Sequence, residues 1–141
     1  MDSKQILILN GPNLNLLGIR EPNVYGSESF EDCYVQLEQL FPSLKLNYLQ
    51  SNLEGELVTA IQNLNQKFSG IVLNAAGYTH TSVVIRDAVA ASNIPVIEVH
   101  ISNISNRESF RHTSLITPVC EGCIAGFGLK SYELALNFFN S

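Results

Sequence analysis

The chain has 141 residues, 45% of them hydrophobic and only 15% charged, against about 25% charged in an average soluble domain. Its formal net charge is −5 and no Lys/Arg run appears, so the basic footprint that nucleic acid requires is missing. No apolar run reaches the roughly 20 residues of a membrane span, and residues 1–5 hold no signal-peptide core. These features predict a single-domain, soluble, cytoplasmic protein whose charge-poor surface is partly covered by other copies of itself. A small anionic ligand stays compatible with the charge, since one or two local arginines suffice to hold it. The three cysteines, Cys33, Cys120 and Cys123, are an odd number and do not suggest a disulfide framework. Cys120 and Cys123 match C-x-x-C but lead into apolar residues rather than a helix start, with no second ligand pair for zinc. They are read as packing.

In chain order, Ile6 to Leu9 is a short apolar run suited to a buried strand. The Asn-Gly-Pro-Asn turn of residues 10–13 ends it, and a glycine-bounded loop, residues 18–26, carries Arg20 and Tyr25 like a lid. Ser29 and Asp32 suggest a capped helix that Pro42 stops. A strand over residues 45–50 and a helix over 54–67 follow. A third strand, residues 70–74, ends in Asn74, and a turn over 75–80 leads to a helix over 81–92 capped by Thr79 or Thr81. A fourth strand covers residues 95–101, then come a polar stretch over 102–111, a fifth strand near 123–125 and a last helix over 129–139. Strands alternating with helices predict an α/β fold, a flavodoxin-like three-layer sandwich with a five-stranded parallel sheet in the order 2-1-3-4-5. Ligands in such sheets bind beyond the strands' carboxyl ends, at the switch point between strands 1 and 3.

The residues just past those strands are Asn10, Asn13, Arg20 and Tyr25; Asn74, Tyr78 and His80; and Glu98, His100, Ser102, Arg107 and Arg111. Phosphate-cradling glycine motifs, a flavin phosphate loop, an acidic receiver cluster and a G-x-S-x-G elbow are all missing. The lysines fall away from the strand ends, which leaves Schiff-base chemistry without a candidate. What remains is cofactor-free, metal-free acid–base chemistry on a polar small molecule.

A tyrosine acts as a base near neutral pH only when its phenolate is stabilised. Lowering a phenol by about 3 units takes roughly 4 kcal/mol, which one cation at about 4 Å supplies at an effective dielectric near 20. Arg20, on the same loop as Tyr25, is the first source of that charge and Arg107 the second. Glu98 and His100, two apart on a strand, share a face, so the carboxylate can orient the imidazole and offset its charge as a general acid. A core histidine satisfied by Glu98 is the alternative. His80, near a helix start, suits a neutral hydrogen-bonding role. A zinc reading of His80 with His100 has no third ligand. Asp87 reads as a solvated helix residue that a neighbouring copy could use, and His112 as a polar loop residue.

Residues 11–26, 51–56, Asn74 with residues 78–82, residues 85–87 and 98–103, Arg107 with Phe110 and Arg111, and residues 126–136 together resemble the signature of the type II 3-dehydroquinate dehydratases over nearly the whole chain. The resemblance implies anti elimination of water from 3-dehydroquinate to give 3-dehydroshikimate through an enolate, without a cofactor. It implies that Tyr25 is the base, assisted by Arg20, that His100 is the acid, oriented by Glu98, and that Asn13 stabilises the enolate, through water. Asn74, His80 and Arg111 would hold substrate hydroxyls, and the backbone at Ile101 and Ser102 the carboxylate. Asp87 would come from a neighbouring subunit of a homododecamer of trimers. Two departures stand out: Ala75-Ala76-Gly77 replaces the usual Pro/Ala-Gly-Ala order, and Ser105 stands where many members have His. A flavin-binding protein and a non-catalytic hydroxy-acid binder are the rival readings. The binder would have no use for Arg20 with Tyr25 or for the Glu98–His100 pair.

Overall fold

The computed structural model describes residues 3–19 and 21–140, and among these residues five strands form one parallel sheet. The strands are β1 (Lys4–Asn10), β2 (Leu44–Gln50), β3 (Phe68–Asn74), β4 (Val96–His100) and β5 (Gly122–Ala125), in the order β2-β1-β3-β4-β5, as the alternation of elements predicts. Side chains alternate across a strand, and β1 uses both faces. Ile6 and Ile8 pack with Phe30, Leu37, Tyr132, Leu136 and Phe139. Leu7 and Leu9 pack with Leu57, Ile61, Ile85 and Val89 on the other side. Each such side chain, fully buried, contributes roughly 1.5–3 kcal/mol, which explains why the inner strands read as continuous apolar runs. Among the described residues no helix is long and apolar enough to cross a membrane.

The one-turn helix α1 (Pro22–Tyr25) lies inside the loop of residues 18–26, which therefore is not wholly irregular. Gly18 and Gly26 flank it at positive φ. Helix α2 (Phe30–Leu40) starts where Ser29 Oγ accepts the Asp32 N–H at 3.2 Å, as the sequence suggests. Helix α3 (Glu54–Gln62) ends five residues short of its expected limit. The Asn65 side chain accepts the Lys67 N–H at 2.8 Å and the Asn65 carbonyl accepts the Phe68 N–H at 3.1 Å, a local turn that competes with helix continuation. Helix α4 (Val83–Ala91) is capped by Ser82, whose Oγ accepts the Ile85 N–H at 3.0 Å. Neither expected threonine serves: Thr79 lies within the 3₁₀ turn of residues 76–80 and Thr81 closes that turn. Helix α5 (Lys130–Phe139) closes the face shared with α2.

At the switch point the backbones of β1 and β3 come very close. The Gly11 N–H donates to the Asn74 carbonyl at 2.7 Å, and a Cβ on Gly11 would lie 2.6 Å from the Ala75 carbonyl oxygen. Only glycine fits there, and the close approach holds the ends of the two strands together beneath the cavity described next.

Candidate active site

A cavity of about 100 Å³ opens beyond the carboxyl ends of β1, β3 and β4. Its wall includes Asn13, Tyr25, Asn74, His80, His100, Ile101, Ser102, Arg107 and Arg111, so most of the residues picked out from the sequence meet there. It is small beside drug-sized pockets and suits a compact polar molecule. Arg20 lies outside the described residues.

Tyr25 ends α1, and the Arg107 Nη1 donates to its hydroxyl oxygen at 2.9 Å and to Ser102 Oγ at 3.3 Å. The guanidinium carbon lies 5.3 Å from the Tyr25 ring centre. A cation thus rests directly against the phenol oxygen, where a phenolate would gain a charge-assisted bond. Arg107 is steadied in turn by His112, whose Nε2 donates to its carbonyl at 3.1 Å. His112, read from the sequence as an incidental loop residue, supports the cation that contacts Tyr25.

Along β4, Ile97 and Val99 point to the α2/α5 side, and the two-residue period puts Glu98 and His100 together on the other. His100 Nε2 donates to Glu98 Oε2, leaving Nδ1 as the nitrogen with no part in that bond. Ser114 Oγ donates to the same oxygen at 2.9 Å, and the Thr117 hydroxyl donates to Glu98 Oε1. Glu98 is buried. Burial pushes its carboxyl up, but hydrogen bonds from His100 and Thr117, the charge on His100 and the Ser114 bond outweigh this and hold it below the usual carboxylate range. The dyad is therefore a fixed carboxylate with an oriented imidazole.

His80 ends the 3₁₀ turn, and its Nδ1 lies 2.8 Å from the Thr113 carbonyl. A carbonyl only accepts, so Nδ1 carries the proton and a neutral His80 keeps Nε2 as an acceptor. Its ring stands nearly parallel to that of His100, with centres 6.5 Å apart. Asn13 sits at a left-handed φ of 69°, tolerable for Asn. Its N–H donates to Asn52 Oδ1 at 3.0 Å, which ties the turn after β1 to the end of β2. Arg111 is held by Glu108 at 2.9 Å. Asp87 lies outside the cavity on an exposed part of α4, paired with Arg86 at 2.9 Å.

Ala76 also lines the cavity, at a positive φ of 53°. The family order noted above would place glycine at this position, so alanine here carries left-handed strain of about 1–2 kcal/mol. Ala76→Gly should stabilise the fold by about 0.5–1 kcal/mol net of glycine's chain entropy, seen as a thermal midpoint about 3 °C higher. An unchanged or lower midpoint would contradict the strain.

Among the described residues, Glu98, His100 and Cys123 are the group that could hold a metal ion, with ligand atoms within 4.8 Å of one another. Cys123 pairs with Glu98 across the β4–β5 ladder, a ligand the His80–His100 reading lacked. The donors are already engaged otherwise. Glu98 accepts three hydrogen bonds, and burial, then the Glu98 charge, pushes the Cys123 thiol up to about 11. Ser114, Thr117 and Tyr132, the last described below, were not picked out from the sequence as parts of the site, since no spacing relates them to Glu98 or Asn74.

Residues 4–140 match the family described as Dehydroquinase class II. The 3-dehydroquinate dehydratase of Acaryochloris marina is 56% identical over 138 residues, covering 96% of this chain and 93% of its own length. That of Campylobacter jejuni subsp. jejuni is 52% identical over 134 residues, covering 94% and 84%. The crystal structure of type II dehydroquinase from Butyrivibrio crossotus superposes with a TM-score of 0.95 at 46% identity, covering 99% of both chains. The sheet order, the position of the cavity and these matches agree, and the chain belongs to the class II dehydroquinase family.

Proposed function

We propose that this chain eliminates water from 3-dehydroquinate in the anti sense, through an enolate and with no cofactor, to give 3-dehydroshikimate. The observation that carries the reading is one cavity with a cation-backed phenol in one part of its wall and a carboxylate-backed imidazole in another. An α-proton next to a ketone needs a base, and Tyr25 as phenolate, held by Arg107 and assisted by Arg20, removes it. The departing hydroxyl needs a proton, and His100, oriented by Glu98, delivers it. Negative charge gathers on the enolate oxygen, where Asn13 stabilises it through water. Asn74, His80 and Arg111 hold the ring hydroxyls, and the backbone at Ile101 and Ser102 takes the carboxylate. Residues 18–26 act as the lid. Asp87, exposed and outside its own cavity, reaches the site of a neighbouring copy in a homododecamer of trimers.

Purified protein should convert 3-dehydroquinate with a rise in ultraviolet absorbance from the conjugated enone product. The rise should survive a chelator and prior borohydride treatment. Loss with chelator would mean metal-assisted chemistry, and loss with borohydride a Schiff base. No rise from folded protein would make the chain a binder rather than a dehydratase.

A further inference from the structure

Behind the cavity lies a buried polar chain that the catalytic scheme does not use. Tyr132, on the first turn of α5, is fully buried, with Asn10 equally buried at the end of β1. The Asn74 Nδ2 donates to the Tyr132 hydroxyl oxygen at 2.9 Å, and that hydroxyl donates to Asn10 Oδ1 at 2.8 Å. The direction of the chain is set by the backbone. The Ala76 N–H, which can only donate, reaches Asn74 Oδ1 at 3.1 Å, so the amide oxygen must stay on that side and Nδ2 must face Tyr132. The Tyr132 oxygen then accepts, and its single proton is committed to Asn10. Burial pushes the Tyr132 phenol up, more than the bonds from Asn74 and to Asn10 lower it, so the hydroxyl keeps the proton it donates. One hydrogen of Nδ2 is thereby consumed behind the wall, and the other is what Asn74 can offer a ligand as donor.

We propose that Tyr132 is a positioning residue that locks the Asn74 amide, so that this point of the cavity recognises a hydrogen-bond acceptor on the ligand. The inference deepens the dehydratase reading and rests on it for the identity of that ligand. Aromatic packing gives Tyr132 a second, purely structural part, since its ring meets Phe30 edge-on with centres 4.9 Å apart. Tyr132→Phe keeps that packing and removes only the hydroxyl, leaving the Asn74 N–H buried without its partner.

Tyr132→Phe should raise KM for 3-dehydroquinate roughly 10-fold, the scale of one unsatisfied buried donor, with kcat changed much less. Asn10→Leu cuts the same chain from its far end and should move KM the same way. In the unmodified protein, replacing the ring hydroxyl that meets Asn74 by hydrogen should weaken binding, whereas replacing it by a ketone, which only accepts, should not. Crystal structures of both variants should show the Asn74 amide turned or disordered. Unchanged KM in either folded variant, or an Asn74 amide left in place, would overturn the proposal. Should both variants fail to fold, equal binding of deoxy and keto analogues would overturn it. Should the unmodified protein fail to turn over 3-dehydroquinate, the functional reading falls, and the Asn74 conformation in the variants still decides the role of Tyr132.

Discussion

Tyr25→Phe is expected to lower kcat by roughly 10³-fold or more, within the range a general base supplies, while 3-dehydroquinate still binds with little change. The variant keeps the ring under the Arg107 guanidinium, at 5.3 Å in the native site, and loses only the oxygen to which Arg107 donates at 2.9 Å. Binding contacts elsewhere in the cavity are untouched, so the loss falls on the chemical step rather than on KM. Steady-state rates together with calorimetric binding of substrate separate the two. Turnover within tenfold of the native rate would remove Tyr25 from the role of base. Arg107 would then be an anchor for the loop rather than a phenolate partner.

Glu98→Gln is expected to reduce kcat by roughly 10²-fold or more and to alter acid stability. The carboxylate accepts from His100, Ser114 and Thr117 at once. A carboxamide of the same shape turns an N–H toward one of these donors, so His100 loses its orientation or a hydroxyl loses its acceptor. The sign of the pH effect follows from the direction of the Glu98 shift. Its folded-state pKa is depressed, so its contribution is fully present above the unfolded carboxyl value of about 4.3. That contribution is lost as pH falls through the lower folded value. The stability gap between native protein and variant should therefore be widest near neutral pH and close in acid. Denaturant titrations across that range measure it. A gap that widens on acidification would mean that Glu98 is held protonated, and the dyad would need another description.

Much of this molecule follows from local pattern. Short apolar runs ending in Asn10 and Asn74, helical spacing in between, and turn residues after each strand lead to the sheet order that is observed. The two-residue period places Glu98 beside His100 without further information. The overlong reading of α3 shows where pattern misleads. Leu64 continues the helical stripe and does pack against the core, yet the Asn65 side chain takes the Lys67 N–H and turns the chain instead.

The contacts that complete the site were not legible in this way, although the sequence already offers Arg107 as a second source of charge for Tyr25. Arg107 reaches Tyr25 across 82 residues of sequence, Tyr132 reaches Asn74 across 58, and the same hydroxyl reaches Asn10 across 122. Ser114 and Thr117 reach Glu98 from a stretch whose residues show no period. By itself, then, the sequence determined the alternation of elements, the edge where the ligand sits and the residue types gathered there, because periodicity and turn chemistry act over a few residues. Only the tertiary structure decided that Arg107 meets the phenol and which hydroxyls hold the carboxylate. Those contacts depend on where distant loops and α5 come to rest over the sheet, and a side chain's spacing along the chain carries no record of that.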